Sequence, residues 1–326
     1  MIKVINALLA VIVGVGGALV LFWVLNFLAE RLPEKWEERL KPYFYILPAL
    51  AAIGVFLVYP AVQTIIYSFA NATSTAWVGL ENYTDLLGEK DFQITLINTL
   101  LWIIVVPTFV VALGLAVAVL ADKLTAGGEK VSKTIIFLPM AISGVAMAAI
   151  WRFVYEVRPE GETQIGLQNA VWTGIGGSPV AWLQEDTFKL NTFLLMIILI
   201  WGQTGFSMVL LSAAIKGVPE DTLEAARIDG ANERQVFFRV VVPQIWGSIV
   251  TVFITVLIGV MKIFDVVYVM TGGNFNTNVI AVRFFNELIT NGDAGKAAAI
   301  VVMLMIAVIP VMIYQVRHFR AEEASR

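Results

Sequence analysis

Seven apolar runs of bilayer-spanning length, at about residues 5–29, 43–70, 95–121, 134–154, 191–215, 244–264 and 297–316, constrain this chain more than any other feature. A hydrocarbon core about 30 Å thick takes about 20 helical residues. No water is available there to satisfy open backbone groups, so such runs form helices. The 326 residues are 59% hydrophobic and 14% charged, with a mean hydropathy of +0.81, far from the values of soluble domains. The expected fold class is all-α, a polytopic transmembrane helical bundle with about seven transmembrane helices. The first run is too long for the apolar core of a signal peptide, and no small-residue cleavage site follows it, so it reads as a true span.

Basic residues in the connections set the orientation, because cytoplasmic loops retain Lys and Arg. One alternating set holds fourteen, among them Arg31, Lys35, Lys123, Lys133, Lys216, Arg227, Arg317 and Arg326. The other holds five, Lys3, Lys90, Arg158, Lys189 and Arg283. The fourteen belong inside, which puts the N-terminus outside and the C-terminus in the cytoplasm. Loops at about 71–94, 155–190 and 265–296 are then external, and 216–243 is the long internal one.

The middle of every span lacks Asp, Glu, Lys, Arg and His. Carriers coupled to ions or protons usually place ionisable groups near the midplane, so coupling to an ion gradient is disfavoured and a neutral solute is expected. The absence of cysteine excludes disulfides and thiolate metal sites. The lone His318, in the polar tail, reads as a surface residue, since one His cannot build a multi-His site. A net charge of −3 gives no reason to expect nucleic acid.

Uncharged polar and aromatic residues do occur in the spans: Asn98, Thr99, Ser143, Trp151, and a cluster of Trp201, Gln203, Thr204, Phe206 and Ser207. Sugars need hydrogen bonds for their hydroxyls and aromatic surface for their C–H faces, so the cluster is a candidate substrate site. The same residues equally suit interhelical packing and hydrogen bonding. Lys262 and Asp265, three residues apart, would share a helix face and pair. They are read either as a snorkelling lysine with a local partner or as the mouth of a substrate cavity.

The internal loop 216–243 carries dense local signals. Pro219 suits a first helical position, Glu220 and Asp221 suit the positive end of the helix dipole, and Gly230 suits a C-terminal stop. Asn232 and Gln235 then form an N-x-x-Q capping box for a second helix running toward Pro243. Ala225 and Ala226 give the first helix a thin face for another protein's groove, with Glu224 and Arg227 able to steer or pair at its rim.

The run Glu224-Ala225-Ala226-Arg227-Ile228-Asp229-Gly230-Ala231, followed by Gln235, Phe237 and Pro243, resembles the EAA loop of binding-protein-dependent ABC importer permeases. The likeness extends from about residue 40 to the end, through YFYILPAL at Tyr43, VYPAVQTIIYSF at Val58, WVGLENY at Trp77, FLPMAIS at Phe137 and GDAGKAAAI at Gly292. It points to the carbohydrate-uptake branch. IWRFVYEVR at Ile150 and WGQTGFSMVLLSAAIKGVPE at Trp201 are most like alpha-glucoside permeases, whose solutes include trehalose, maltose, sucrose and glucosylglycerol. Two departures stand out: an additional first span, and TGGNF at Thr271 where many relatives read Thr-Gly-Gly-Gly-Pro, which leaves that loop's conformation open.

The resemblance implies the type I ABC importer permease fold and a sugar-importing subunit in the bacterial or archaeal cytoplasmic (inner) membrane. It would form a heterodimer with a second permease subunit, above two ATPase subunits that bind ATP and Mg, and below an extracellular or periplasmic sugar-binding protein. Glu224, Ala225, Ala226, Arg227, Asp229, Gly230 and Ala231 would couple to the ATPase. No cofactor and no catalysis are expected of this chain: in GGEKVSKT at 127–134, Ser132 replaces the glycine that a Walker sequence needs before its lysine, so the stretch reads as a basic turn. The expected organisation is 1–42 as an extra helix and linker, 43–94 as a helix and external loop, 95–316 as the transport core, and 317–326 as a cytoplasmic tail. The main alternative is an importer permease for another small polar solute, such as a glycerol phosphate derivative or a polyamine-like compound. A secondary carrier and a membrane enzyme are disfavoured by the empty midplane and by the absence of any converging nucleophile and base.

Overall fold

The computed structural model describes residues 2–31 and 33–324. The expectations for the side chains of Lys3, Lys35 and His318, and for Arg326, fall outside what it describes. Among the described residues there is no strand, only one isolated bridge between Ala70 and Trp77. Contacts divide the chain into two units, Met1–Ile66 and Tyr67–Arg326.

In the first unit, α1 (Ile2–Ala29) packs on α2 (Glu34–Ile53), which passes through a π-turn at Gly54–Val58 into α3 (Tyr59–Tyr67). Phe22 stacks on Tyr45 at 6.0 Å, and the Tyr45 hydroxyl donates to Asn26 Oδ1 at 2.9 Å. Most of the other large apolar side chains described here are exposed, as suits helices whose solvent is lipid.

The second unit opens with α4 (Glu81–Gly88) and α5 (Lys90–Ala121). Then come α6 (Ala126–Phe137), α7 (Gly144–Val154), the short α8 (Leu167–Gly174) and α9 (Leu190–Lys216). The remainder comprises α10 (Glu220–Ile228), α11 (Glu233–Val236), α12 (Val242–Gln244), α13 (Trp246–Met261), α14 (Asp265–Thr271), α15 (Ile280–Phe285) and α16 (Ala294–Ala324). The central pair is α5 against α9. A Cβ built at Gly114 would lie 2.3 Å from Ser207 Oγ, and one at Gly205 would lie 2.4 Å from the Ile136 carbonyl. These two small residues let α9 approach both α5 and α6 at backbone distance, as tight membrane packing requires.

Among the described residues, five helices are long and apolar enough to span, and two bent pairs make up the rest of the seven apolar runs. The first bend falls within the run 134–154, and the second at the start of the run 244–264. The first breaks by 104° between Ala141 and Gly144. There Pro139 sits in a 3₁₀ turn, and Ser143 caps the next helix by accepting from Ala146 N–H. The second bends by 68° at Ile245, just after Pro243, which leaves α13 with 16 residues, about 24 Å of helix. The GGEKVSKT stretch is helical rather than a turn, since it lies within α6, capped by Thr125.

Asn98 and Thr99 are structural. The buried Asn98 amide on α5 donates to the carbonyls of Asn276 at 2.7 Å and Asn278 at 2.9 Å, while Thr99 Oγ1 accepts from Ile280 N–H at 3.1 Å. Two polar residues in an apolar helix thus fix the loop between α14 and α15.

Candidate functional site

At one end of the second unit, the loop after α9 folds as its local signals direct. α10 has nine residues and begins at Glu220, so Pro219 is its N-cap rather than its first helical residue. At the other end Gly230 takes φ +85°, a conformation that costs a residue with a Cβ about 1–2 kcal/mol. Its N–H reaches the Arg227 carbonyl at 3.0 Å, and the Ala231 N–H reaches the Ala226 carbonyl at 3.1 Å, which closes a complete Schellman stop. Both arms of the capping box form: Gln235 N–H to Asn232 Oδ1 at 3.0 Å and Asn232 N–H to Gln235 Oε1 at 2.9 Å. The helix it starts is short and passes through a π-turn at Phe237–Val241 before Pro243.

The faces of α10 differ from the expected thin alanine face. Leu223 and Ala226 pack on the chain's own core, as does Ala231 beyond the turn, while Glu224, Ala225 and Asp229 are exposed. Helical spacing separates the two alanines by about 100°, which sends them to opposite duties. The exposed face carries an apolar residue, Ile228, at 85% exposure. Arg227 pairs not with Glu224 but with Glu233 across the turn, Nε to Oε1 at 2.9 Å. The hydrogen bond and opposite charge raise the Arg227 pKa and lower that of Glu233.

A polar knot joins the end of α5, α6 and the end of α9. Lys133 Nζ on α6 lies 2.7 Å from Asp122 Oδ1 at the end of α5 and 2.6 Å from Glu129 Oε1, and it also donates to Ser212 on α9. Lys216, four residues before α10, pairs with Glu129.

The candidate substrate cluster on α9 does not converge. Gln203 and Phe206 line a cavity of about 280 Å³ with Met140, Thr255, Gly259 and Ile263. Trp201 and Thr204 line a different one, between α9 and the Phe109–Leu113 stretch of α5. Ser207 is buried against Gly114, and Thr204 Oγ1 is turned back to the Ile200 carbonyl at 2.6 Å. Trp201 meets Trp151 edge-on at 5.8 Å. A 100° turn per residue cannot bring five residues within seven positions to one face. Lys262 and Asp265 also part company: α13 ends at Met261 with Lys262 as its non-helical cap, α14 begins at Asp265, and no ion pair joins the two side chains across the break. Asp265 instead lies beside Gly144, where a Cβ would stand 2.7 Å from its Oδ2.

Residues 103–321 match the family model described as a binding-protein-dependent transport system inner membrane component. The chain belongs to this family. Over 99% of each chain the permease is 41% identical to the "Alpha-glucoside transport system permease protein AglF" of Rhizobium meliloti. It is 45% identical to the "Osmoprotective compounds uptake permease protein GgtC" of Synechocystis, over 86% of this chain and all of that one. In a crystal structure of a bacterial ABC transporter involved in the import of the acidic polysaccharide alginate, one chain superposes with a TM-score of 0.75. That likeness is one of fold, at 21% identity over 88% of this chain and 99% of that one.

The matched segment of the permease runs from the middle of α5 to the end of α16 and contains both bent pairs and α10. Sequence reasoning missed the knot and Ile228. Glu129 and Lys133 were legible as an i, i+4 pair on a helix, whereas Asp122 and Lys216 meet them only through packing of α5 and α9. Ile228 was legible from its spacing, since it shares a face with Glu224 and Ala225 opposite Leu223.

Proposed function

We propose that this permease forms half of the translocation pathway of an ATP-driven importer for an alpha-glucoside or another neutral oligosaccharide. It couples through the loop 216–243 to a separate ATPase. In this reading it pairs with a second permease subunit, two ATPase subunits hold ATP and Mg on the cytoplasmic side, and a sugar-binding protein delivers solute from outside. The N-terminus is external and the C-terminus cytoplasmic. The supporting observation is α10 itself, stopped by Gly230 and anchored through Leu223 and Ala226, with Glu224, Ala225 and Ile228 left exposed on the opposite face. A helix held on one side and bare on the other suits a handle gripped by another subunit. Arg227, Asp229, Gly230 and Ala231 keep its end in shape.

Gln203 and Phe206, the two cluster residues that share a cavity, are the pathway-lining candidates retained from the sequence. Trp201, Thr204, Ser207, Lys262 and Asp265 act in packing or at helix ends in this reading. The alpha-glucoside assignment rests on similarity to the Rhizobium relative across nearly the whole chain. A second reading, a small osmoprotective solute, is favoured by the Synechocystis relative, with its higher identity over a shorter span.

The test is reconstitution of the copurified complex in proteoliposomes with labelled trehalose and ATP. Uptake should require ATP, and Glu224→Lys should abolish it while the complex still assembles. Uptake by that variant at the wild-type level, or transport by this chain with no ATPase present, would sink the proposal. Competition binding to the copurified extracellular protein separates the two solute classes.

A further inference from the structure

We infer that the end of the second unit remote from α10 carries an entry subsite for one neutral sugar ring, built from the loop after α14, α15 with the turn that follows it, and the first turns of α5. This inference rests on the sugar-import reading. The loop 271–278 is unusual backbone: Phe275 takes φ 55° and Asn276 φ 59°, one residue after Gly272 and Gly273 at 63° and 84°. Left-handed conformations are uncommon for residues with a Cβ and persist where the surroundings impose them. Here they do, because other elements grip the loop. Asn191 Nδ2 donates to the Phe275 carbonyl at 2.7 Å, Asn276 Nδ2 donates to Asp186 Oδ2 at 2.8 Å, and Asn98 donates to two further carbonyls.

The loop thereby frames a cavity of about 280 Å³ lined by Asp91, Asn274, Phe275, Asn278, Arg283 and Asn286. Several polar groups around it have no use within the protein. The side chains of Asp91 and Asn286 make no hydrogen bond or ion pair with a described residue. Arg283 gives one end to Glu89 at 2.5 Å and Glu287 at 2.6 Å, but its buried Nε is left without an acceptor. Buried donors are seldom left so.

The chemistry selects a neutral hydroxyl-bearing ligand. Amide side chains present a donor and an acceptor together, as a hydroxyl does, and the exposed Phe275 ring offers a face for C–H groups. A metal ion is disfavoured, since no group of three or more acidic or His side chains with metal-binding geometry occurs among the described residues. An anion would meet Asp91, and Arg283 is already matched by two carboxylates. The volume lies just under the range of about 300–1,000 Å³ usual for larger ligands, which fits one ring rather than a disaccharide.

The experiment is saturation-transfer NMR on the assembled complex without its extracellular binding protein, using methyl α-D-glucopyranoside as the probe. Transfer to the ring protons is expected in the wild type and should fall to background in Asn286→Ala and in Asp91→Ala. Assembly of each variant is checked by gel filtration, with the isosteric Asn286→Asp or Asp91→Asn replacing whichever fails. A signal that survives both substitutions overturns the subsite, as does displacement of the probe by calcium or by inorganic phosphate. No wild-type signal alongside intact ATP-driven uptake overturns the subsite and leaves the sugar reading standing. Absence of both overturns the two together.

Discussion

Lys133 Nζ stands 2.7 Å from Asp122 Oδ1, and this contact joins the end of α5 to α6 in a knot that includes Lys216, four residues before the helix that we propose couples the permease to its ATPase. Both side chains are less than one-fifth exposed. Removing the cation would leave Asp122, whose Oδ2 already lacks a partner, with only the Ser212 hydroxyl at 2.9 Å and a distant Lys216 at 3.8 Å, and would leave Glu129 only Lys216. Lys133→Ala should therefore destabilise the assembled protein by about 1–3 kcal/mol. Thermal unfolding followed by tryptophan fluorescence checks this. Lys133→Arg should retain most of the stability, so equal losses in the two variants would count against the knot.

Gly230→Ala tests the stop of α10. With φ at +85° the methyl group costs about 1–2 kcal/mol without meeting any neighbouring atom. The strain is local, so the bundle should assemble normally while the ratio of solute moved to ATP hydrolysed falls. Gly230→Asn, better tolerated at positive φ, should be milder. An unchanged ratio in the alanine variant would show that the end of α10 bears no load.

Gly114 and Ser207 test the closest helix contact. A methyl at Gly114 would fall 2.3 Å from Ser207 Oγ and 2.5 Å from its Cβ, so Gly114→Ala should cost about 1–3 kcal/mol as overpacking. Ser207→Gly on the same chain should restore part of the loss, the remainder reflecting the Met208 N–H at 2.9 Å. A double variant no more stable than Gly114→Ala would contradict the contact.

Asn98→Leu tests the tether of the loop before α15. Two hydrogen bonds from a buried amide to backbone carbonyls disappear, leaving the Asn276 carbonyl only a long contact from Lys189 Nζ at 3.4 Å, a loss of about 1–3 kcal/mol. Hydrogen exchange should speed up at the amides of 274–280 and stay unchanged at α10. Uniform loss of protection across the bundle would instead mean that Asn98 supports global stability.

Local chemistry makes much of this protein legible from its residues alone. Seven apolar runs dictate an all-helical membrane bundle, because an open backbone has no partner in lipid. Loop 216–243 announces its caps, because Gly230 and the Asn232–Gln235 box act over three or four residues and depend on nothing distant. Tertiary structure alone decided the rest. Pro139 and Pro243 mark places where a helix can break, but bends of 104° and 68° depend on what α7 and α13 pack against. The cluster 201–207 shares a stretch of sequence and not a face, and helical geometry divides it between two cavities and the α5 contact. Asp122 and Lys216, or Asn98 and Asn276, are joined across scores of residues by packing, which local chemistry does not encode.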